Sequence, residues 1–130
     1  MLDAARTHVL LTHHRKLGRW LQLGGHADGD RDVRAVALRE ALEESGLPAL
    51  RFVAGALYDV DVHVIPARPG EPEHRHYDVR FAFVAPPGAE PVCSDESHAV
   101  AWIPLAELDR YGADASVRRL AAKTARLPAV

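Results

Sequence analysis

Residues 25–47 read GHADGDRDVRAVALREALEESGL, a glycine-rich turn that runs into a segment with the composition of a helix. At about 100° per residue, Glu40, Glu43 and Glu44 share one stripe of such a helix. Acidic side chains that repel one another are typical of a Mg²⁺ or Mn²⁺ site, because these ions prefer hard oxygen ligands. A solvated helix face is the ordinary alternative for a charge run of this kind.

Local signals set the two ends of this helix. Asp30 or Asp32 can act as the N-cap, where an acid accepts free backbone N–H groups. Gly46 can adopt the left-handed conformation that closes a helix, and Pro48 prevents the helix from continuing. The sequence therefore predicts a helix over about residues 32–45, behind glycines that let the backbone approach a ligand closely.

The spacing G-x5-R-x7-R-E-A-x-E-E-x-G-L, from Gly25 to Leu47, resembles the signature of the Nudix hydrolases. Every fixed position but one matches; the exception is Arg31, where the family carries Glu. The resemblance implies an α/β protein with a Nudix-type αβα sandwich, a mixed β-sheet between helices, in one domain over residues 1–130. The family has one more strand before the first one found here, so we expect a shortened first strand or a truncated sequence.

The resemblance also implies roles for the side chains of the segment. Glu40, Glu43 and Glu44 correspond to the metal-binding carboxylates of the family, and the Gly25 carbonyl often joins them. Arg39 corresponds to the arginine that orients the neighbouring glutamate, and it is also the one cation that can pair within the helix, four residues before Glu43. The expected cofactor is Mg²⁺ or Mn²⁺, which would bridge a diphosphate and activate water for attack on phosphorus.

Arg31 removes one carboxylate from the loop and adds a cation near Arg39. Asp28, Asp30 and Asp32 are close enough in sequence to replace the lost charge. Weaker metal binding, a changed loop and no measurable effect all remain open. Because the helix glutamates are intact, we expect catalysis rather than its loss.

The rest of the chain alternates strand and loop patterns and ends in helices. Strands interleaved with helices predict a sheet packed between helical layers. The predicted strands are 8–13, 20–23, 50–64 (long or bent), 74–84 and 100–103, and the predicted helices after the first are 105–111 and 115–126.

Two rows of polar side chains follow from alternation along neighbouring strands. His74, His76, Asp78 and Arg80 share one strand face, and Asp59, Asp61 and His63 share a face of the preceding strand. The face with Tyr77, Val79, Phe81 and Phe83 is expected to be the core face. Substrate wall, second metal site and half-solvated sheet face are the alternatives for the rows. Contact with substrate phosphate or base is favoured over a dedicated zinc site, and His74 and His76 are the preferred candidates.

Further candidates lie before the helix and late in the chain. His26 directly follows the glycine pair, and Arg15 ends the first strand, where a basic side chain would steer an anionic substrate. Solvated turns are the alternative. The family commonly places an extra carboxylate, a metal ligand or general base, in a late loop, and Glu96 is the candidate for it here. Trp20 is expected to be a core residue rather than a base-stacking platform.

Composition limits the class of protein. With 130 residues, 48% hydrophobic and 26% charged, and a net charge of −2, the chain is long enough to bury a core and has no basic excess for wholesale nucleic-acid binding. No apolar run approaches a membrane span and no signal-peptide core is evident, so we expect a cytoplasmic protein without a membrane partner. The single Cys93, expected to be buried or inert, excludes an intramolecular disulfide.

The sequence thus predicts a metal-dependent pyrophosphohydrolase of a nucleoside diphosphate derivative, with Glu43, Glu44 or Glu96 as the base. A Nudix fold that binds a nucleotide without cleaving it is the alternative. An isopentenyl diphosphate isomerase ranks last, because those enzymes place a catalytic cysteine where Leu23, Gly24 and Gly25 stand. Nudix proteins are often dimers, so a homodimer is also expected.

Overall fold

The computed structural model describes residues 1–53, 57–95 and 97–128. Among these residues, no helix has the length and apolar character that a membrane crossing would need. In chain order the elements are β1 (His8–His14), β2 (Arg19–Leu21), α1 (Val33–Ser45), β3 (Arg51–Phe52), β4 (Asp59–Ile65), β5 (His74–Arg80), β6 (Phe83–Val84), β7 (Ser97–Pro104), a 3-10 helix (Leu105–Tyr111) and α2 (Ala115–Thr124).

Strand β1 is the centre of the main sheet, which has the order β2-β1-β7 with antiparallel neighbours. Leu10 and Leu11 are consecutive on this strand, and both are fully buried. Because consecutive strand residues point to opposite faces, both faces of the sheet are covered. On one face Leu11 joins Ile103, Leu108 and Val117 in a hydrophobic cluster, so the 3-10 helix and α2 supply that cover.

Leu2 connects the main sheet to the short β3–β6 pair. It bridges Val9 in the antiparallel sense and Val84 in the parallel sense. Its N–H donates to the Phe83 carbonyl at 2.8 Å, and its carbonyl accepts from Ala85 N–H at 2.9 Å. This parallel bridge is isolated, and the strand pairs β1–β2, β1–β7 and β3–β6 are all antiparallel.

Helix α1 has the ends that the local signals predict. The Asp32 side chain accepts from Ala35 N–H at 3.0 Å, and Gly46, with a φ of 64°, closes the helix by donating to the Leu42 carbonyl. Asp30 accepts the Asp32 N–H at 2.9 Å, so it supports the cap without being it.

Two predicted strands prove to be shorter pieces. The predicted strand 50–64 corresponds to two strands, β3 and β4. Residues 54–56, which lie between them, are outside the described part of the chain. The predicted strand 74–84 divides at residues 81 and 82, because β5 pairs with β4 whereas β6 pairs with β3. Each half therefore follows a different partner, which no local pattern reveals.

The prediction of a core face with Tyr77, Val79, Phe81 and Phe83 was wrong for Tyr77 and Val79, the two residues that lie on β5. Phe83 is buried, but Tyr77 is 68% exposed and Val79 is also exposed. On β4 the matching residues Val60, Val62 and Val64 are exposed as well. The hairpin is a separate two-stranded sheet, and it turns its charged face, rather than its apolar one, toward α2.

An ion-pair cluster of Asp59, Asp61, Arg80, Arg119 and Lys123 holds the hairpin in this orientation. Arg119 Nη2 lies 2.6 Å from Asp59 Oδ2 and 2.9 Å from Asp61 Oδ1, and Lys123 Nζ lies 2.5 Å from Asp59 Oδ1. Asp59 is only 7% exposed. Hydrogen bonds from Arg119, joined by Lys123 and opposed by burial, lower the pKa of Asp59 to about 2. A buried carboxylate with three cations around it explains why the charged face points inward.

Candidate active site

The glycine loop is held against the glutamate stripe of α1. Gly24 N–H donates to Glu44 Oε2 at 2.8 Å. Gly25 passes so close to Glu40 that a Cβ at this position would overlap its carboxylate and lie 2.5 Å from its Cδ. The structure thus brings Gly25, Glu40 and Glu44 together, and Glu43 lies exposed on the same helix.

Arg39 contacts a glutamate, but not the one that its spacing suggested. Its Nη2 donates to Glu40 Oε1 at 3.5 Å, and its Nη1 lies 4.0 Å from Asp30 Oδ2. The expected partner four residues on, Glu43, has no such contact with it among the ion pairs of the described residues. Arg39 therefore lies between Glu40 and the loop acid Asp30, while Arg31 is exposed.

The two polar rows of the hairpin lie side by side, as alternation predicted. The register pairs Asp61 with Asp78 and His63 with His76, and Asp59 with Arg80 at the end near α2. The imidazole ring of His76 is the meeting point: its centroid lies 5.1 Å from that of His74 and 5.5 Å from that of His63.

His26 joins the hairpin row to the glycine loop. Its ring meets that of His76 edge to face, with centroids 5.4 Å apart. Since His26 follows Gly25 directly, the polar row lies beside the loop that contacts Glu40 and Glu44. Of the predicted substrate-contacting residues, His26, His74 and His76 are therefore adjacent to one another and next to the glutamate stripe.

The remaining candidates lie elsewhere or outside the described residues. Arg15 is exposed and its Nε–H donates to the Ser97 carbonyl at 3.1 Å, which places it at the start of β7. Glu96 is one of the residues that the structure does not describe. Trp20 packs against the Leu11 cluster, as expected for a core residue, with its ring 5.8 Å from Tyr111. Cys93 is exposed, which corrects the expectation of a buried thiol.

One cavity lies away from the glutamate stripe. It encloses about 50 Å³ between the hairpin and α2, and its lining includes Leu2, Tyr58, Arg80, Leu120 and Thr124 but no residue of α1. A space of this size and lining belongs to the core. Of the three glutamates, Glu43 is exposed, whereas Glu40 and Glu44 are half-buried.

Sequence reasoning missed two residues near the stripe. Asp30 was named as a possible cap and as one of three acids that could replace the lost charge, but its contact with Arg39 was not predicted. His63 was placed on the polar row but not chosen, yet its Nδ1 lies 3.8 Å from both Asp61 Oδ2 and Asp78 Oδ2. The cross-strand register would have pointed to His63, because it faces His76 directly.

The sequence and the fold both match those of known proteins. Residues 1–124 match the family model described as NUDIX domain. The structure of a C. elegans Ap4A hydrolase binary complex superposes with a TM-score of 0.72 at 17% identity, over 92% of this chain and 84% of that one. The structure of RenU, a Nudix hydrolase from M. smegmatis, superposes with a TM-score of 0.69 at 22% identity, over 99% of this chain and 83% of that one.

A third solved structure is that of a bifunctional NMN adenylyltransferase/ADP ribose pyrophosphatase from Francisella tularensis, complexed with AMP and a Mn ion. It gives a TM-score of 0.56 at 20% identity, over 92% of this chain but 34% of that one. No curated protein matches the sequence. The structural likeness confirms the expected fold class, an α/β Nudix-type sandwich.

Proposed function

Since the chain belongs to the NUDIX domain family, we propose that it is a metal-dependent hydrolase that cleaves the diphosphate linkage of a nucleoside diphosphate derivative. Family membership confirms the resemblance to Nudix hydrolases and the enzyme class expected from it, hydrolases acting on acid anhydrides. The metal, the substrate class and the site residues are parts of the proposal.

One observation carries the proposal: the glycine loop and the glutamate stripe are in contact. Gly24 N–H donates a hydrogen bond to the Glu44 carboxylate. Gly25 leaves a space that the Glu40 carboxylate occupies and that any side chain at position 25 would fill. The donors are carboxylate and backbone oxygens, which fit Mg²⁺ or Mn²⁺. Glu40, Glu43, Glu44 and the Gly25 carbonyl would hold the ion, which when bound would neutralise charge on the diphosphate and lower the pKa of a bound water.

The side chains of the site have separate roles in this proposal. Glu43, Glu44 or Glu96 accepts a proton from the attacking water, and Arg39 orients Glu40 through its 3.5 Å contact. His26, His74 and His76 contact the phosphate or base of the substrate from beside the glycine loop, and Arg15 attracts the anionic substrate from the end of β1. The products are two phosphorylated fragments, because water attacks one phosphorus and the other leaves with the bridging oxygen.

Arg31 does not remove the acid that the loop needs. We propose that Asp30 supplies the carboxylate that the family carries at position 31. It lies one residue earlier in the chain, and its Oδ2 is 4.0 Å from Arg39 Nη1. Arg31 is exposed and adds a cation at the rim.

The substrate class rests on the titles of the structural relatives and on the site itself. One relative is named as an Ap4A hydrolase and another as an ADP ribose pyrophosphatase that holds AMP and Mn. Both names contain a nucleoside diphosphate linked to another group. An acidic stripe beside imidazole donors suits such a substrate, whose phosphates would meet the metal and whose other end would meet the hairpin.

A homodimer and a cytoplasmic location complete the proposal. The exposed residues Val60, Val62, Val64, Tyr77 and Val79 form a contiguous apolar face on the β4–β5 hairpin, which a second copy of the chain would cover.

The test is hydrolysis of nucleoside triphosphates, dinucleotides and nucleotide sugars with Mg²⁺ or Mn²⁺, in which added pyrophosphatase or phosphatase converts the products to inorganic phosphate for measurement. We expect turnover of at least one class, and in H₂¹⁸O a single labelled phosphorus in the products by ³¹P NMR. Nucleotide binding without turnover of any member would refute the hydrolase and leave a binding module.

A further inference from the structure

Four imidazole rings gather beside the glycine loop, and the proposed hydrolysis uses three of them, only as substrate contacts, and leaves His63 without a role. This histidine cluster consists of His26, His63, His74 and His76. One donor atom from each of His63, His76 and Asp78 lies within 4.8 Å of the other two. The three residues come from neighbouring positions of β4 and β5, so the backbone register sets their spacing.

The hydrogen bonds of His74 determine which of its nitrogens can act as a ligand. His74 Nδ1 lies 2.9 Å from the Pro72 carbonyl, which can only accept, so Nδ1 carries the proton of the neutral ring. Nε2 therefore presents a lone pair. A histidine whose other ring nitrogen donates to a backbone carbonyl has the usual orientation of a metal ligand.

That lone pair faces a second imidazole at the spacing of two metal ligands. His74 Nε2 and His76 Nε2 are 3.3 Å apart. Two nitrogens that each lie about 2.0–2.1 Å from a tetrahedral ion are separated by about 3.3–3.4 Å. The donor atoms of His63, His76 and Asp78 lie within 4.8 Å of one another, so these side chains would turn closer together around an ion, for which the exposed ring of His63 has room.

The surrounding charges also suit a cation. Asp61 Oδ2 lies 3.8 Å from His63 Nδ1 and can orient that ring. Arg80 Nη2 binds Asp78 Oδ2 at 3.0 Å, which leaves the other oxygen of Asp78 for a ligand. Arg80 also lies 3.6 Å from an oxygen of Asp59 and 3.6 Å from an oxygen of Asp61, so three carboxylates share its positive charge.

We propose that His63, His76 and Asp78, with His74 as the fourth ligand, bind a transition-metal ion of the Zn²⁺ class. Imidazole-rich donor sets favour such ions, whereas the all-oxygen stripe of α1 favours Mg²⁺. The two sites are distinct in donors and in elements, because one lies on the hairpin and the other on the helix and its loop. The inference goes beyond the proposed hydrolysis and does not depend on it; with an ion bound, His74 and His76 would act on the substrate through the ion rather than by direct contact.

The test is Zn²⁺ binding to the untagged full chain in saturating Mg²⁺, measured by competition with a chromophoric chelator. Mg²⁺ occupies the oxygen site and leaves the imidazole site to Zn²⁺. We expect one tightly bound Zn²⁺, and with Co²⁺ in its place the strong visible absorption of a four- or five-coordinate ion. The variants His63→Gln and His76→Gln should each weaken binding by about tenfold or more.

Two controls separate this site from others. His98→Gln removes an exposed strand histidine outside the cluster, and Glu44→Gln removes a carboxylate of the stripe. Both should bind Zn²⁺ like the unchanged protein. The proposal is overturned if the unchanged protein binds no Zn²⁺ under these conditions. It is also overturned if His63→Gln and His76→Gln both bind Zn²⁺ as tightly as the unchanged protein, or if Glu44→Gln abolishes the binding. All these readouts are independent of hydrolytic activity.

Discussion

Gly25 is the residue whose smallness matters most for the site. A Cβ here would overlap the carboxylate of Glu40, the far end of a flexible side chain, so the fold can accommodate alanine by moving that carboxylate. We expect Gly25→Ala to weaken Mn²⁺ binding by about tenfold or more, as loss of a positioned ligand does. The unfolding free energy should change by only about 0.5 kcal/mol, as for most exposed substitutions. Free Mn²⁺ measured by EPR and a thermal melt give the two quantities.

Glu40→Gln is the matched control for that substitution. It removes the charge of the same carboxylate without adding atoms to the loop. If alanine acts through Glu40, adding Gly25→Ala to Glu40→Gln should have little further effect on Mn²⁺ affinity. Full additivity of the two effects would show that Gly25 acts in another way.

Asp30 and Arg31 give a second prediction at this scale. If Asp30 supplies the missing loop acid, Asp30→Asn should weaken Mg²⁺ binding, and Arg31→Glu should strengthen it. For exposed charges worth about 0.5–1 kcal/mol, each change amounts to about two- to fivefold. Calorimetric Mg²⁺ titration measures both; Asp28→Asn, an exposed loop acid nearby, is the control. An unchanged affinity in Asp30→Asn would contradict the assignment.

At the scale of elements, the β4–β5 hairpin depends on its ion pairs with α2. The pKa of Asp59 is lowered from 3.8 to about 2, with hydrogen bonds from Arg119 as the main cause. The carboxylate therefore contributes stability that is complete above pH 3.8 and is lost as the pH falls through about 2. A shift of this size is worth about 2 kcal/mol.

We expect Asp59→Asn to lower the free energy of unfolding by about 2 kcal/mol or more at pH 7, and to lose less stability than the unchanged protein between pH 4 and pH 2. Denaturant titrations across this range measure the difference. Asp109→Asn is the control. Asp109, on the 3-10 helix, forms an exposed ion pair at 2.9 Å with Arg118, which like Arg119 lies on α2. Its loss should lower the free energy of unfolding by under about 1 kcal/mol. If Asp59→Asn and the unchanged protein lost the same free energy of unfolding between pH 4 and pH 2, the account would be contradicted.

The elements also show where sequence reasoning succeeds and fails. Helix α1 was predicted within a residue of its ends, because Asp32 and Gly46 cap it through local hydrogen bonds. The buried and exposed faces of β5 were assigned the wrong way round. Alternation identifies two faces of a strand but does not show which of them packs against the rest of the protein. Asp59 pairs with Arg119, 60 residues later, and that partner decides the question. For the same reason the break between β5 and β6 could not be predicted.

The candidate site divides in the same way. The stripe of Glu40, Glu43 and Glu44 and its glycine loop were predicted, because one local motif contains them all. The contact between His26 and His76 was not, because 50 residues separate the two rings and only the folded hairpin brings them together.

At the scale of the molecule, the exposed apolar face of the hairpin predicts self-association. Val62 and Tyr77 pair across the two strands near its centre. The double variant Val62→Thr with Tyr77→Thr keeps β-propensity and removes apolar area, so we expect it to shift the protein from dimer toward monomer in sedimentation velocity. Val92→Thr, an exposed valine in a loop, is the control. A dimer that persists in the double variant would place the interface elsewhere.

The most direct test of the central claim compares kcat for Glu44→Gln and Glu90→Gln on the best substrate with Mg²⁺. Glutamine at position 44 keeps an oxygen that can accept from Gly24 N–H, so the loop stays in place while the charge is lost. Glu90 is an exposed acid in the loop between β6 and β7. The account predicts a loss of about 10²-fold or more for Glu44→Gln and an unchanged kcat for Glu90→Gln. Equal activity in the two variants would contradict the claim that the glutamate stripe is the catalytic site.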